Sequence, residues 1–425
     1  MLERTPHHSG ATLNYKELLK VYPRYLGFGF LHTFFSSIGQ TFLIALFIPS
    51  LREAFSQTAT AMGSYYGMLT MMSAGLLFFT GPLIDRVNLR LYSASVGLTV
   101  ATGCFLLVFA PSFWLALVGL FLVRHGGQAL MGHTAFTSMT RYFTLMRGKA
   151  LGITGLGIAC GEAILPVTIA LSITHLGWRT SYILLALSCL LLFLPLSLFL
   201  VNRNDDIQYP DASQDKDTPQ EASTEELNWG RKQLLLHPYF WLILPLTLMP
   251  PFLGTGYFFF QKEIAKAKGW SATLFASCFL AYGLSAAMTS FLSGPWVDRL
   301  GAKRMLPFTL FPMMLGVWAL IGIDSILGGY LFMFFLGVSF GSTGNARNAM
   351  WAEVYGRKHL GSIKSFASMV MVFSTALAPP LGGWLLDKGY SMSSILWGTI
   401  ALTAGATLLA FFAKTPTFPK TPQHL

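Results

Sequence analysis

Three ionisable residues, Arg124, Glu162 and Arg347, interrupt stretches that are otherwise almost wholly apolar. A guanidinium in a dry setting holds an anion, and a carboxyl there can take up or release a proton; ionisable groups at membrane depth are expensive and default to function. Gln128 lies four residues after Arg124, on the same face of a helix. His32, Ser36 and Gln40 recur every fourth residue and make a polar stripe on another apolar stretch; at depth, such a stripe faces a cavity or a neighbouring helix. A titrating His32 and an amide at Gln40 are therefore candidate solute contacts. No convergent nucleophile and base, and no metal-ligand spacing, is present, so the pattern predicts neither an enzyme nor a cofactor or metal site. Gly337-Val338-Ser339-Phe340-Gly341 fits a hydrolase elbow, but that motif needs a strand-to-helix turn, and here it lies mid-stretch.

The elements that must position these residues follow from composition. Of 425 residues, 53% are hydrophobic and 11% charged, against about 25% charged in globular proteins. A soluble enzyme, a disordered chain and a disulfide scaffold are all excluded. Twelve stretches reach the ~20 apolar residues that a crossing needs: 25–48, 61–80, 91–110, 113–140, 150–173, 180–200, 239–260, 271–293, 305–323, 327–350, 361–384 and 393–413. The pattern predicts an all-α membrane protein: a tail (1–24), a six-helix bundle (25–200), an acidic linker (201–238), a second six-helix bundle (239–413) and a short tail (414–425). The linker holds eight of the 18 acidic residues. If both termini are cytoplasmic, cytoplasmic segments carry 21 Lys and Arg and outside segments 6, so the positive-inside rule places both ends inside. The formal charge of +11 sits in short loops rather than on one basic face, which argues against nucleic acid. Cys104, Cys160, Cys189 and Cys278 all fall within the apolar runs and read as buried thiols. The first apolar run is long enough to span, so it does not read as a cleavable signal.

The two halves echo each other. Gly81-Pro82-Leu83-Ile84-Asp85-Arg86 follows the second stretch, and Gly294-Pro295-Trp296-Val297-Asp298-Arg299 follows the eighth, 213 residues later. Lys149-Ala150-Leu151-Gly152 and Lys358-His359-Leu360-Gly361 repeat at an offset of 209. Duplicated six-helix units are the architecture of many secondary transporters, with the solute site between the halves. The loop pattern Gly-x-x-x-Asp-Arg-x-Gly resembles that of the major facilitator superfamily, and the resemblance covers the whole chain. It implies that Gly81, Asp85, Arg86 and Arg90, with Gly294, Asp298, Arg299, Gly301 and Lys303, form gating latches. The first copy ends in Asn88 rather than Gly, and Asn tolerates the left-handed turn a glycine would make there.

Arg124 lies 11 residues into its stretch, roughly 16 Å deep, and Glu162 reaches a similar depth from the other side. Neighbouring antiparallel helices would bring them together as an ion pair. Arg124-His125-Gly126-Gly127-Gln128 also matches a fourth-span feature of the superfamily linked with proton transfer or substrate binding. Glu162, Leu165 and Pro166 replace residues of the superfamily's antiporter pattern after Gly157-x-x-x-Gly161. Pro245, Pro250 and Pro251 are expected to break the seventh span, and Pro379-Pro380 the eleventh, which makes Tyr257 and Gln261 candidate cavity residues.

Arg141-Tyr142-Phe143 with Arg147-Gly148-Lys149-Ala150-Leu151-Gly152 is similar to the bacterial monocarboxylate and oxalate/formate porter branch. The eighth span here has no basic residue, so Arg124 would hold the anion. The expectation is a monomeric, proton-coupled symporter of a small organic anion in a bacterial inner membrane. Arg124 and Glu162 would form its coupling pair, and Arg124, Gln128, His32, Gln40, Tyr257 and Gln261 its solute contacts. The alternatives are an exporter of apolar metabolites or drugs, and a membrane sensor that transports nothing.

Overall fold

The computed structural model describes residues 14–143, 146–201, 231–356 and 360–413. Most of the expected acidic linker, all of the C-terminal tail and the 358–359 part of the second echo lie outside the described residues. Everything described is helix or connection, and ten helices are long and apolar enough to cross a membrane.

The chain enters through α1 (Tyr15–Val21), capped by a reciprocal Asn14–Glu17 box. Its Leu18 packs with Leu26, Phe28, Met139 and Phe143, so part of the expected tail is docked on the bundle. The first crossing is discontinuous. α2 (Pro23–Ser36) tightens into a 3₁₀ turn at Ser37–Gly39, Gln40 is extended, and α3 (Thr41–Ile44) and α4 (Ile48–Ala54) follow. The interruption has a steric cause. A Cβ on Gly39 would lie 2.5 Å from the Gln128 nitrogen, and one on Gly127 would lie 2.6 Å from the Gly39 nitrogen. Two glycines thus let the first and fourth spans cross backbone to backbone.

Next come α5 (Ala59–Thr80), α6 (Leu83–Arg86), α7 (Leu89–Phe109) and α8 (Phe113–Val123). A wider π segment, Arg124–Met131, joins α8 to α9 (Gly132–Tyr142). α10 (Arg147–Ser188) continues through a π segment into α11 (Leu194–Leu200). The apolar run Gly148–Leu200 has 53 residues, about 80 Å of straight helix and more than twice a ~30 Å bilayer core. It reverses at Gly177, where φ is 80°, and Ser172 meets Ser181 Oγ to Oγ at 2.8 Å across the bend.

The second half runs α12 (Arg231–Leu236), α13 (Pro238–Phe259), α14 (Gln261–Ala267), α15 (Ala272–Ser277), α16 (Phe279–Leu300) and α17 (Ala302–Met305). α18 (Phe311–Gly322), α19 (Ile326–Tyr355), α20 (Leu360–Asp387) and α21 (Met392–Phe412) complete it. The prolines do not act as expected: α13 runs through Pro245, Pro250 and Pro251, and α20 through Pro379 and Pro380. A proline removes one hydrogen bond, and packing against neighbours holds the helix together. Asn88 is not left-handed either. Its φ is −53°, and its side chain caps α7 by accepting from the Arg90 N–H at 2.8 Å. Gly301, its counterpart, does take a positive φ of 82°.

The halves meet along one seam, at the end of the bundle away from the paired loops. Gly63 and Gly67 of α5 lie against the backbone of Pro379 and Ala376 on α20, and Gly383 lies against Ala59. Gly283 of α16 packs on Ala159 and Ala163 of α10. Asp387 accepts from the Thr60 N–H and hydroxyl, and Arg52 pairs with Glu263 at 3.2 Å. Among the described residues, every hydrogen bond or ion pair between the halves lies on this side.

Candidate functional site

The Gly39–Gly127 crossing sets the position of Arg124. One turn before Gly127, the side chain reaches the interruption in the first span. Nη1 donates to the Gly39 carbonyl at 3.3 Å, to the Thr41 hydroxyl at 3.1 Å and to the Tyr66 hydroxyl at 2.5 Å. The guanidinium also lies over the Tyr66 ring, 4.7 Å from its centroid. Tyr66 donates onward to Thr41 Oγ1 at 2.9 Å. Arg124 is 2% exposed, and Nε has no partner. Nη2 makes no hydrogen bond among the described residues. The Gly39 carbonyl is the negative end of a half-helix, which favours a cation, and the Tyr66 face adds a cation–π contact. All these partners are neutral. The site can hold a positive charge in place and offer it to an anion.

The expected pairing with Glu162 is not made. Neither residue belongs to an ion pair among the described residues. Arg124 is turned toward α3 and α5. Glu162 follows Gly161, which packs on Ser37, and lies between Ala159 and Ala163, which meet Gly283. Equal depth alone did not make a pair: the Arg124 guanidinium is taken up by Gly39, Thr41 and Tyr66.

The remaining candidates scatter. His32 is fully buried in the first bundle, and both its nitrogens are engaged, with the Phe28 carbonyl at 2.9 Å and Ser93 Oγ at 2.8 Å. Phe28 and Phe193 pack on its ring, so it is a packed histidine rather than a cavity residue. Gln40 and Gln128 both flank the Gly39–Gly127 crossing, half-buried, and their side chains make no hydrogen bond among the described residues. Tyr257 donates to Thr399 at 2.7 Å and borders an apolar cavity between α13, α20 and α21. Gln261 bridges the halves, donating to the Phe42 carbonyl at 2.7 Å and the Phe258 carbonyl at 3.0 Å. Two further residues hold the site together without having been expected: Thr41, next to Gln40, and Tyr66, a polar-tipped aromatic one residue before Gly67.

The paired loops are each tied to their own half. Asp85 forms an ion pair with Arg141 at the end of the fourth span. Gly81 accepts from His133 at 3.2 Å. In the second copy the polarity is reversed: Glu353, at the end of the tenth span, accepts from the Ala302 N–H at 2.8 Å and lies 3.9 Å from Lys303. Arg86 and Arg299 are exposed and Arg90 half-buried, none in an ion pair among the described residues. Gly294 has open space around its Cα. The side chain of Asp298 lies outside what the structure describes.

A family model, Major Facilitator Superfamily, matches residues 29–262 and 252–424. The human MFS-type transporter SLC18B1 is 31% identical over 156 residues, 34% of this chain and 33% of that protein. Multidrug resistance protein 2 of Bacillus subtilis is 26% identical over 175 residues, 39% and 42% of the two chains. The matches thus span well under half the length of these relatives. Among solved structures, a bacterial homolog to the human lysosomal transporter Spinster, inward-facing and unoccupied, superposes with a TM-score of 0.70 at 14% identity, covering 95% of this chain and 98% of that one. With ten membrane-length helices, a duplicated loop motif and a family match across both halves, this chain is an integral multi-pass membrane protein that belongs to the Major Facilitator Superfamily of transporters.

Proposed function

We propose that this chain is a proton-coupled carrier of a small organic anion that works by alternating access. It crosses the bilayer twelve times with both termini cytoplasmic, as a monomer in a bacterial inner membrane. Support for that count comes from the ten long helices among the described residues, the discontinuous first span and the reversal at Gly177. The Lys and Arg bias puts the paired loops inside, where they act as gating elements, and the seam outside. The carrying observation is Arg124: a buried guanidinium with neutral partners only. Removing a charge from water costs several kcal/mol unless a counter-charge answers it, and here that place is left to the solute.

Glu162 takes the proton role by a different route from the one its depth suggested. It stands in the α10–α16 seam, beside the residues that touch Gly283. Protonation removes the charge that closing this seam would otherwise bury. The test is counterflow in proteoliposomes with labelled carboxylates, comparing wild type with Arg124→Ala and Glu162→Gln. Arg124→Ala is expected to abolish carboxylate exchange, and Glu162→Gln to uncouple it from the proton gradient. Wild-type flux in both variants would refute the reading.

One observation favours a second reading, export of apolar solutes. The cavity of about 260 Å³ beside Tyr257 is lined by Phe252, Leu381, Leu385, Ile395 and Leu402, and a multidrug resistance protein is among the relatives. That reading predicts lower cellular accumulation of lipophilic dyes and no carboxylate counterflow.

A further inference from the structure

We propose that Arg347, with Asn348, forms a second anion-accepting station in the other half, nearer the paired loops than Arg124. It rests on the reading above only in making the anion a carboxylate. Arg347 stands eight residues before the end of α19 at Tyr355, about 12 Å along the helix. It is half-buried, and its one partner among the described residues is the Met371 thioether, 3.2 Å from Nη1. Sulfur of this kind is a weak acceptor, and among the described residues no carboxylate pairs with the guanidinium.

The helix face around it is arranged as an opening. Seven residues earlier on the same face, Phe340 packs on Tyr282 and Phe258, which closes the region above. On the α16 side, Asn345 donates to the Ser290 carbonyl at 2.6 Å and to Ser293 Oγ at 2.9 Å. On the α20 side stands the Met371 contact. Between these flanks lie Gly344 and Asn348, one turn apart. A Cβ on Gly344 would meet nothing within 4 Å, and Asn348 is exposed. Asn348 lies two residues from the end of the 327–350 stretch, at the edge of the membrane, where an exposed amide meets water. The segment Gly344-Asn345-Ala346-Arg347-Asn348 therefore presents a cation and an amide donor to an open groove.

Arg347 lies on the tenth span, the counterpart of the fourth span that carries Arg124, but the two are not at equivalent depths. At the 213-residue offset of the paired loops, Arg124 would match residue 337. The second cation is ten residues closer to the paired loops, which suits a first stop for an anion entering from that side.

The test places a reporter beside Arg347. Asn348→Cys is made in a full-length chain whose four native cysteines are replaced, and reconstituted in nanodiscs. It is reacted with an anionic sulfonatoethyl and a cationic trimethylammonioethyl methanethiosulfonate, each normalised to its rate with a free thiol. A unit charge about 6 Å away in a watery groove biases such a pair by about tenfold. The expected result is that anionic preference, lost in Arg347→Gln and kept in Arg347→Lys. In addition, benzoate at a concentration of about 10 mM, on the order of a weak carboxylate Kd, should slow modification where benzamide does not. An unreactive thiol at position 348, a ratio near one, an unchanged ratio in Arg347→Gln, or equal effects of benzoate and benzamide would overturn the proposal. If Arg347→Gln does not fold, the ratio with Arg347 present decides alone. Because this readout requires no transport, it stands or falls independently of the counterflow experiment on Arg124.

Discussion

The seam between the halves is held by backbone approach, and that makes it breakable with single methyl groups. An added Cβ on Gly67 would lie 2.3 Å from the Ala376 carbonyl oxygen, and one on Gly63 would lie 2.4 Å from that of Pro379. Ordinary contact begins near 3.4 Å, so Gly67→Ala requires α5 and α20 to separate by about 1 Å. Both obstacles are backbone, and no rotamer change relieves them. The obstruction has a local origin in α20. Pro380 has no N–H to give the Ala376 carbonyl, so that oxygen is free to face Gly67, where a Cα–H contact can form.

Overpacking of this kind costs about 1–3 kcal/mol, and the cost arises only when the seam is closed. The equilibrium between seam-closed and seam-open forms should therefore move about 5- to 150-fold toward open. Spin labels at Glu53 and Lys388, exposed on opposite halves, report the separation by pulsed dipolar spectroscopy in nanodiscs. Gly67→Ala and Gly63→Ala should each populate a longer distance. Gly75→Ala, on the same helix with nothing within 4 Å of its Cβ, should not. If both seam variants keep the parent distance distribution and melting temperature, backbone contact does not hold the seam, and this reasoning fails.

Other consequences follow. Tyr66→Phe removes one oxygen from a buried guanidinium, a loss of about 1.5–3 kcal/mol, and should lower the melting temperature and the transport rate together; unchanged melting would show that Thr41 and Gly39 suffice. Burial raises the Glu263 carboxyl above its usual range, against the opposing pull of Arg52, Lys262 and Lys266. The closed seam therefore holds that proton more tightly than an open, hydrated one. Glu263 taken alone biases acidification toward closure, a bias that fades as pH rises through the raised value. Asp387, held below its usual range by Thr60 across the seam, acts in the opposite sense as it protonates below about 4. The same spin-label pair reads this, and Glu263→Gln should remove the Glu263 part of the response. Asp85→Asn should change stability by less than about 1 kcal/mol, since Asp85 itself is exposed and Arg141 half-buried; a larger loss in thermal melting would mark the loop as a structural tie.

The class of this chain was legible in its sequence because membrane spans are set by length and apolarity, and the duplication because two loops repeat at one offset. Contacts were less legible. Depth along a span is a matter of counting, but the direction in which a side chain leaves a helix depends on how each neighbour packs. Arg124 and Glu162 share a depth, yet Gly39, Thr41 and Tyr66 take up the guanidinium. Prolines suggested breaks in α13 and α20, yet the interruption falls in the first span, where Gly39 and Gly127 let two backbones cross. A glycine pair split between distant helices leaves no local pattern to read. His32 looked like a titrating group and is a packed one, since the Ser93 hydroxyl that satisfies it lies 61 residues away.

The short helix α3 shows how the parts act together. Thr41 binds Arg124 and Tyr66 within the first half, and the next residue, Phe42, offers its carbonyl to Gln261 of the second. Tyr66 itself packs on Phe259, with ring centroids 4.9 Å apart. A four-residue helix between an extended Gln40 and α4 can shift more easily than a continuous span, because fewer backbone bonds tie it to its neighbours. An anion drawing on Arg124 would compete with Thr41 and Tyr66 for the guanidinium, and a change there reaches the Phe42–Gln261 bond in one residue. On the proposed reading, anion binding at Arg124 and seam closure would share this element. Gln261→Leu tests the link: it cuts the bond across the halves without touching the Arg124 cradle. Distances between Glu53 and Lys388 should lengthen while protection of the Arg124 site by bound carboxylate is retained. Loss of binding with an intact seam would show that α3 serves the anion site alone.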